Sequence, residues 1–304
     1  MACIPTRTGQ EDVVIHISDT LKIIPLELLG LSEDHYSILV NILQQPRGLV
    51  LITGEPHAGI TTTLYACLDH ISLEEKKIWT AEDPIEIVHK GLRQVQVDPG
   101  KGFDYPTVLR SLLKADPDVI AAGQIRDAET ASVCMRAAIQ GRLVLSSLCA
   151  DNMVDSIERC MNTGVDQLVF ADAMLAMIEQ KLIHCLCPKC REKYHPGREE
   201  YNELVQIYGS EAFDERNIRY SDSFNLYRPK GCDDCGRTGY SGRLSICEIL
   251  VFTPEIKRMI RRKESPQSIY QAAVSSGMTT LREDALLKVL SGHTDSRHAR
   301  LTCL

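Results

Sequence analysis

Strand-like and helix-like segments alternate along residues 48–183. Apolar runs such as GLVLITG (48–54) are followed by helical periodicity, and Asp127 stands where its carboxylate can cap the helix DAETASVCMRAAIQ. The run LVFADAMLAMIEQKLI (168–183) is also predicted to be helical. Alternation of this kind predicts an α/β fold, with a mostly parallel sheet covered by helices on both faces.

The rest of the chain differs from this alternating segment in composition, which predicts four parts. Residues 33–183 form the α/β core, and residues 184–243 are rich in cysteine, glycine and polar side chains. Residues 244–304 return to helical periodicity, with a helix in TPEIKRMIRRK that begins at Thr253. Residues 1–32 are predicted to be a strand fragment and a linker.

Charge and hydropathy limit the classes of function. The 304 residues carry a formal net charge of −7, and the pI is about 5.8. Because the chain has no overall basic field, nucleic acid is not expected as a partner. The first residues lack the apolar core of a secretory signal, and no apolar stretch approaches the roughly 20 residues that cross a bilayer. We therefore expect a cytoplasmic protein, with docking at a membrane surface as the alternative.

The stretch GEPHAGITTT, which follows the first apolar run, has the outline of the phosphate-binding loop G-x-x-x-x-G-K-[ST]. Gly54, Gly59 and Thr61 occupy the glycine and hydroxyl positions, and they would supply a backbone cradle and a magnesium ligand. Ile60 occupies the lysine position. Loss of a charge-assisted hydrogen bond worth roughly 1.5–3 kcal/mol should weaken nucleotide binding about tenfold to hundredfold. By pattern alone, an ordinary strand–turn–helix corner is an equally good interpretation.

Four of the twelve cysteines form two C-x-x-C pairs, Cys187 with Cys190 and Cys232 with Cys235. This pattern is typical of a structural zinc site in which four thiolates complete a tetrahedral shell. Such a shell leaves no open position, so the metal would stabilise the fold rather than catalyse. A dithiol redox pair and unrelated free thiols are the alternatives, and Cys185 is not expected to be a ligand.

From about residue 5 to residue 250, the chain resembles the secretion-ATPase superfamily that drives type II secretion and type IV pilus assembly. The resemblance rests on five stretches in order: GLVLITGEPHAGITTTLYA, TAEDPIE, LLKADPDVIAAGQIRDAETA, AAIQGRLVLSSLCADN and CPKC…CDDCGRTGYSGR. They are similar to that family's phosphate loop, acidic box, magnesium and base region, histidine box and tetracysteine module. The resemblance implies a RecA-like P-loop core, a tetracysteine zinc module and C-terminal helices.

The chain departs from the family pattern at residues that handle charge. Ile60 replaces the loop lysine, and Gln124 replaces a glutamate, so it can hydrogen-bond a water but cannot take its proton. Arg142 and Cys149 replace the two histidines of the histidine box. Residues 1–32 resemble only the tail of the family's preceding domain, and His16 stands where that domain has an arginine.

The resemblance implies that the remaining carboxylates and arginines arrange the phosphates and the attacking water. Glu82 is the retained candidate for the base, beside the degenerate Gln124, and Glu86 is also retained. Structural ion pairing is the alternative role for these charged residues. The residues implied to bind nucleotide are Gly54, Glu55, Pro56, His57, Ala58, Gly59, Ile60, Thr61, Thr62, Asp83, Arg110 and Arg126.

The catalytic positions are replaced while the glycines and cysteines remain, so we expect a family member with weak or absent ATP hydrolysis. It would be a structural or regulatory subunit of a type II secretion or type IV pilus system, at the cytoplasmic face of the inner membrane. Expected partners are other ATPase subunits, in a homo- or hetero-hexamer, and inner-membrane platform or cytoplasmic-domain proteins of the same machine. Expected cofactors are a structural zinc and weakly bound ATP with magnesium.

Two alternatives remain open from the residues. The first is an active hexameric ATPase that powers pilus or pseudopilus assembly. The second is a zinc-held interaction module with no nucleotide role. Tight binding of MgATP would exclude the interaction module, and ATP hydrolysis would favour the active ATPase.

Overall fold

The computed structural model describes residues 2–5, 7, 9–14, 22–72 and 75–303. His16, predicted to replace a family arginine, lies outside the described residues. The strands are β1 (Ala2–Pro5), β2 (Glu11–Val14), β3 (Gly48–Gly54), β4 (Ile78–Glu82), β5 (Arg93–Gln96), β6 (Val119–Ala122), β7 (Leu143–Cys149), β8 (Met174–Leu186), β9 (Glu192–Tyr194), β10 (Leu226–Arg228) and β11 (Tyr240–Val251). The α-helices are α1 (Glu33–Leu43), α2 (Ile60–Ile71), α3 (Tyr105–Leu113), α4 (Ala128–Ile139), α5 (Met153–Met161), α6 (Gln167–Ala173), α7 (Arg198–Tyr208), α8 (Ser210–Glu215), α9 (Pro254–Arg261), α10 (Pro266–Ser275), α11 (Leu281–Leu290) and α12 (Ser296–Cys303).

Seven strands form one sheet in the order β11–β8–β3–β7–β6–β4–β5. Neighbouring strands are parallel from β8 to β5, and only the edge strand β11 runs antiparallel to its neighbour β8. The central strands β3 and β7 are buried along almost their whole length. Burial on both faces is what a parallel sheet requires, so the predicted α/β fold with a mostly parallel sheet is confirmed.

Helices cover both faces of this sheet. Along β3, Leu49 and Leu51 pack into the core beneath α3, α4, α5, α6, α9 and α10, whereas Val50 and Ile52 pack into the core beneath α1 and α2. This alternation follows from the period of two in a strand. Within the described part of the chain, no helix combines the length and the apolar composition that crossing a bilayer requires.

The prediction of one continuous helix over residues 168–183 is wrong. Helix α6 ends at Ala173, and β8 begins at Met174 and pairs with β3 on one side and β11 on the other. A strand buried on both faces is apolar at consecutive positions, so its sequence lacks the alternation that identifies a half-buried strand. The predicted caps are present: Asp127 accepts the backbone N–H of Thr130 at 2.7 Å, and Thr253 caps α9.

A third core lies outside the two faces of the sheet. It joins the β9–β10 ladder and α7 and α8 to α11 and α12 through Leu204, Phe213, Leu226, Leu286 and Ala299. The last two helices therefore pack with the cysteine-rich region, whereas α9 and α10 pack on the sheet. The predicted boundaries after residues 183 and 243 fall inside β8 and β11. The division into four parts stays a prediction.

A buried polar cluster connects α1, β11 and α11. Lys288 Nζ lies 2.8 Å from each carboxylate oxygen of Asp284, and Asp284 also accepts the backbone N–H of Cys247 at 2.9 Å. The Sγ atom of Cys247 lies 3.3 Å from His35 Nδ1. All four residues are buried, and burial lowers the pKa of His35, so its ring is neutral and the ion pair balances its own charge.

Candidate functional site

A cleft of about 600 Å³ opens at the carboxyl end of β3, where the chain turns into α2. In open α/β sheets, the carboxyl ends of the strands are the usual place for a ligand site. The cleft brings together the predicted loop residues 54–62 and Gln124. Its lining is completed by Glu86, Ser147, Cys149, Leu182 and Arg243.

The loop backbone needs glycine at its two predicted positions. A Cβ on Gly54 would lie 2.5 Å from the carbonyl oxygen of Gln180, and Gly59 has a φ of +84°. Directly after Gly59, α2 begins with no side chain capping its first N–H groups. Free amides at a helix N-terminus are the groups that bind phosphate oxygens in loops of this kind.

A side chain from β8 holds the loop from the side. Gln180 is buried; its Nε2 donates to the carbonyl oxygen of Ala58, and its Oε1 accepts from the hydroxyl of Thr63, each at 2.7 Å. These two bonds connect the loop and the first turns of α2 to the neighbouring strand. The sequence interpretation missed this role because it placed Gln180 in a helix.

The lysine position of the loop is filled by an apolar side chain. Ile60 is the first residue of α2, and it packs in part against the core beneath α1 and α2. An aliphatic side chain offers neither charge nor a hydrogen-bond donor. The loop therefore presents backbone amides and the hydroxyls of Thr61 and Thr62 to the cleft, without a cation of its own.

Gln124 follows β6 and faces the cleft. Its Oε1 accepts from Arg126 Nε at 2.8 Å, and Arg126 Nη1 lies 3.6 Å from a carboxylate oxygen of Asp83. Neither Arg126 nor Asp83 is among the residues that line the cleft. A primary amide cannot accept a proton from water, so this position can orient a water molecule but cannot act as a base.

Glu82 ends β4 and is 8% exposed. Its carboxylate accepts from the hydroxyls of Tyr65 and Thr80 and from Gln94 Nε2, the last at 3.0 Å. Burial, together with the hydrogen bond to Glu82, raises the pKa of Tyr65, which keeps that hydroxyl protonated as a donor. Glu82 does not line the cleft, and its role as a base stays a prediction.

Two of the remaining predicted positions lie outside the cleft lining. Arg110 on α3 forms an exposed ion pair with Glu129 on α4. Arg142 precedes β7, and its Nη2 lies 3.2 Å from Asp116 Oδ1. Cys149 is at the opposite end of the same strand and lines the cleft. Of the two histidine-box positions, only Cys149 is therefore placed at the phosphate loop.

The four predicted zinc ligands come together from two loops. Sγ atoms are 3.9 Å apart for Cys187 and Cys232, 3.9 Å for Cys190 and Cys235, and 3.7 Å for Cys232 and Cys235. A zinc–sulfur distance of about 2.3 Å in a tetrahedron puts the sulfurs about 3.8 Å apart. The cluster therefore fits a tetrahedral ion of this size.

Backbone amides support a thiolate in this cluster. The Sγ atom of Cys235 accepts from the N–H groups of Cys232 at 3.3 Å and Gly239 at 3.2 Å. The first of these hydrogen bonds contributes most to lowering the pKa of Cys235 to about 6. Metal binding requires the thiolate form, and these donors favour it.

The cleft also contains residues that sequence reasoning did not assign to it. Leu182 and Arg243 come from β8 and β11, which the sheet places beside the loop. Arg243 belongs to the stretch GRTGYSGR, whose pattern predicts only the tetracysteine module. No local pattern could have placed it here, because its position depends on pairing between strands far apart in the chain.

Residues 1–300 match the family described as Type II/IV secretion system protein. The chain is 35% identical over 291 residues to the type IV pilus assembly ATPase PilB of Pseudomonas aeruginosa. It is 35% identical over 295 residues to the type II secretion system protein E of Xanthomonas campestris pv. campestris. These alignments cover 96% and 97% of this chain but 50% of each relative, so the chain spans about half of their length.

Solved structures share this fold. The pilus retraction motor PilT with bound ADP aligns with a TM-score of 0.64 and 22% identity, covering 91% of this chain and 66% of that chain. The ATPase DotB of Legionella pneumophila aligns with a TM-score of 0.64 and 19% identity, covering 91% of this chain and 64% of that chain. At these levels of sequence identity, the structural similarity shows a shared fold. It confirms the predicted RecA-like core.

Proposed function

Because this chain belongs to the Type II/IV secretion system protein family, we propose that its cleft holds the phosphates of ATP and hydrolyses the nucleotide weakly or not at all. The chain then serves as a structural or regulatory subunit beside active relatives. The observation that carries this proposal is Ile60, whose side chain packs partly on the core at the position where the loop would need a cation.

Two chemical requirements of hydrolysis are poorly met in this site. Charge on the departing γ-phosphate must be neutralised, and the attacking water must be oriented and deprotonated. The loop offers amides but no cation, and Gln124 offers an amide where a carboxylate is needed. Glu82, the predicted base, does not line the cleft, and three donors already engage its carboxylate. We therefore expect ATP binding to be weakened less than ATP hydrolysis.

Two metals fit the residues that are present. Magnesium would be held by the Thr61 hydroxyl, and it would neutralise part of the phosphate charge. Zinc would be held by the four cysteine thiolates in a closed shell, and it would stabilise the fold.

We assign partners and location by the same reasoning. The relatives are named for type IV pilus assembly and type II secretion, so we propose that this chain works with subunits of one such machine, in a homo- or hetero-hexamer. Its place is the cytoplasmic face of the inner membrane, beside platform or cytoplasmic-domain proteins. A net charge of −7 argues against nucleic acid as the partner.

Phosphate release from MgATP by the purified chain tests the proposal. The wild type is compared with the Ile60→Lys/Gln124→Glu double variant, which restores the cation and the carboxylate. General-base catalysis typically contributes about 10²–10⁴-fold, so we expect the double variant to release phosphate at least about a hundredfold faster. Ile139→Lys/Gln140→Glu is the matched control, because it makes the same two changes at two exposed positions, the last residue of α4 and the residue that follows it.

The outcomes separate the three functions. Wild-type turnover near the enzyme median of about 10 per second would contradict the proposal and identify an active ATPase. Absence of MgATP binding in calorimetry, for the wild type and the double variant alike, would leave the zinc-held interaction module. Gain of turnover in the double variant, but not in the control, supports a nucleotide site that has lost its catalytic groups.

A further inference from the structure

The charge missing from the loop can be supplied from a different strand. We propose that the guanidinium of Arg243, reaching over the loop from β11, is the cation that holds the nucleotide phosphates in this chain. This inference rests on the proposed nucleotide site and names a residue that replaces its absent lysine. It follows from three features: the path of β8 and β11, the lack of partners at Arg243, and the charge of the other groups in the cleft.

Strands β8 and β11 continue past the phosphate loop. β3 ends at Gly54, whereas the parallel strand β8 extends to Leu186. β11 returns antiparallel to β8, with Ser245 opposite Leu182 and Arg243 opposite His184. Side chains alternate along a strand, so the side chains of these two residue pairs lie on the same face of the β8–β11 pair of strands.

This face of the β8–β11 pair lies against the phosphate loop. A Cβ on Gly59 would lie 3.3 Å from Leu182 Cδ1, which shows how closely the two elements approach. Leu182 and Arg243 both line the cleft with the loop residues. A long side chain at position 243 can therefore extend over the amides at the start of α2.

The guanidinium of Arg243 is free to take a ligand. It has no hydrogen-bond or ion-pair partner within residues 22–72 and 75–303. It is also the one arginine or lysine among the described residues that line the cleft. The neighbouring Lys181 is already committed, since its Nζ lies 3.0 Å from Glu55 Oε1.

The charges around the cleft give Arg243 a specific role. Two carboxylates, Glu55 and Glu86, line the cleft with it, and Lys181 neutralises the first. Without Arg243, the phosphates of a nucleotide would meet backbone amides, the Thr61 and Thr62 hydroxyls, the His57 ring and the carboxylate of Glu86, which has no ion-pair partner among the described residues. A guanidinium has several N–H donors in a planar fork and remains charged at neutral pH, so it suits phosphate oxygens better than any other group present here.

Equilibrium binding of fluorescent MgATP tests this assignment, with inorganic tripolyphosphate and adenosine as competitors. A charge-assisted contact to phosphate corresponds to about a tenfold to hundredfold change in affinity. We expect Arg243→Gln to weaken MgATP and tripolyphosphate by that factor and to leave adenosine unchanged. Arg237→Gln is the matched control, because Arg237 is an exposed arginine that precedes β11 and pairs with Asp233 instead.

Adding Ile60→Lys to the Arg243→Gln variant tests whether the two positions serve the same phosphates. We expect the added lysine to restore most of the lost affinity. A loss that the lysine does not recover, an equal loss for adenosine, or an unchanged affinity in Arg243→Gln would each overturn the assignment. Absence of MgATP binding in the wild type would instead reject the proposed nucleotide site, and this inference with it. Arg243 is exposed, and matching thermal unfolding curves will show that the variants are folded.

Discussion

Glu179 on β8 is an acid that is 1% exposed and meets hydroxyl groups rather than a cation. Thr53 Oγ1 and Ser156 Oγ both lie within hydrogen-bond distance of its Oε2, the latter at 3.2 Å. Its Oε1 has no hydrogen-bond partner among the described residues. Burial raises the pKa of Glu179 from its ordinary value of 4.5 to about 7, and the hydrogen bond from Thr53 only partly opposes this shift.

This shift makes stability depend on pH. Between pH 4.5 and about 7, the folded state keeps a proton that the unfolded chain has released, so the free energy of unfolding falls as the pH rises. Glu179→Gln removes the titration. We expect the variant to match the wild type near pH 5 and to exceed it by up to about 3 kcal/mol at pH 8.

Urea unfolding at pH 5, 6.5 and 8 measures this difference. Glu158→Gln is the control, because it makes the same substitution at an exposed residue of α5. A constant difference between Glu179→Gln and the wild type across these pH values would contradict the raised pKa.

Helix α11 is held to the sheet by charge as well as by apolar packing. Asp284 and Lys288 are one turn apart, and they are 0% and 6% exposed. Asp284 also accepts the Cys247 N–H of β11, so the carboxylate connects the helix to the edge strand. Breaking a buried pair by removing one partner leaves the other charge without compensation, which costs more than the pair itself contributes.

We expect Lys288→Met to lower the free energy of unfolding by about 3–5 kcal/mol, because Asp284 then stays buried without its cation. Asp284→Asn added to Lys288→Met should recover part of the loss, since the Asn oxygen can still accept from Cys247. Lys101→Met is the matched control, because Lys101 and Asp98 form an exposed pair worth at most about 1 kcal/mol. Equal losses for Lys288→Met and Lys101→Met in urea unfolding would contradict this account of α11.

The caps and β8 show what local sequence can predict about elements. Asp127 and Thr253 were identified as caps because an N-cap depends on residues three positions apart. The strand β8 was not identified, because its apolar run has no alternation and only pairing with β3 and β11 makes it a strand. Because β8 was not predicted to be a strand, the hydrogen bonds of Gln180 to the loop and to α2 were not predicted either.

A metal bound by the four cysteines would stabilise a larger part of the chain than the loops that carry them. The core around Leu204, Phe213 and Leu226 includes Leu286 and Ala299, so α11 and α12 pack against the segment between the two cysteine pairs. None of the four cysteines belongs to any of the three cores, but the N–H of Leu186 donates to the carbonyl oxygen of His293 at 2.8 Å and Arg191 donates to that of Gly292, which joins the first cysteine pair to the turn between α11 and α12. Loss of the metal should therefore loosen the module and the last two helices together while the sheet persists.

Cys232→Ser tests this dependence. We expect zinc content to fall from about one ion per chain to about none, since a Cys₄ structural site requires all four thiolates. Limited proteolysis should then cut within residues 187–235 and 281–303, leaving residues 33–180 protected. Cys185→Ser is the control, because Cys185 lies outside the four-sulfur cluster. Full zinc content and unchanged proteolysis in Cys232→Ser would contradict the metal assignment.

The residues alone determined the α/β class, the glycine loop with Ile60 in it, and the two cysteine pairs. Each of these is a local signal, because periodicity, turn glycines and C-x-x-C spacing act over a few positions. Strand pairing decided where Gln180 and Arg243 lie, which acids are buried, and how α11 and α12 pack. These depend on contacts between residues far apart in the chain, by more than a hundred positions for Gln180 with Ala58 and Thr63. Such contacts leave no period in the sequence because they form only when the chain folds.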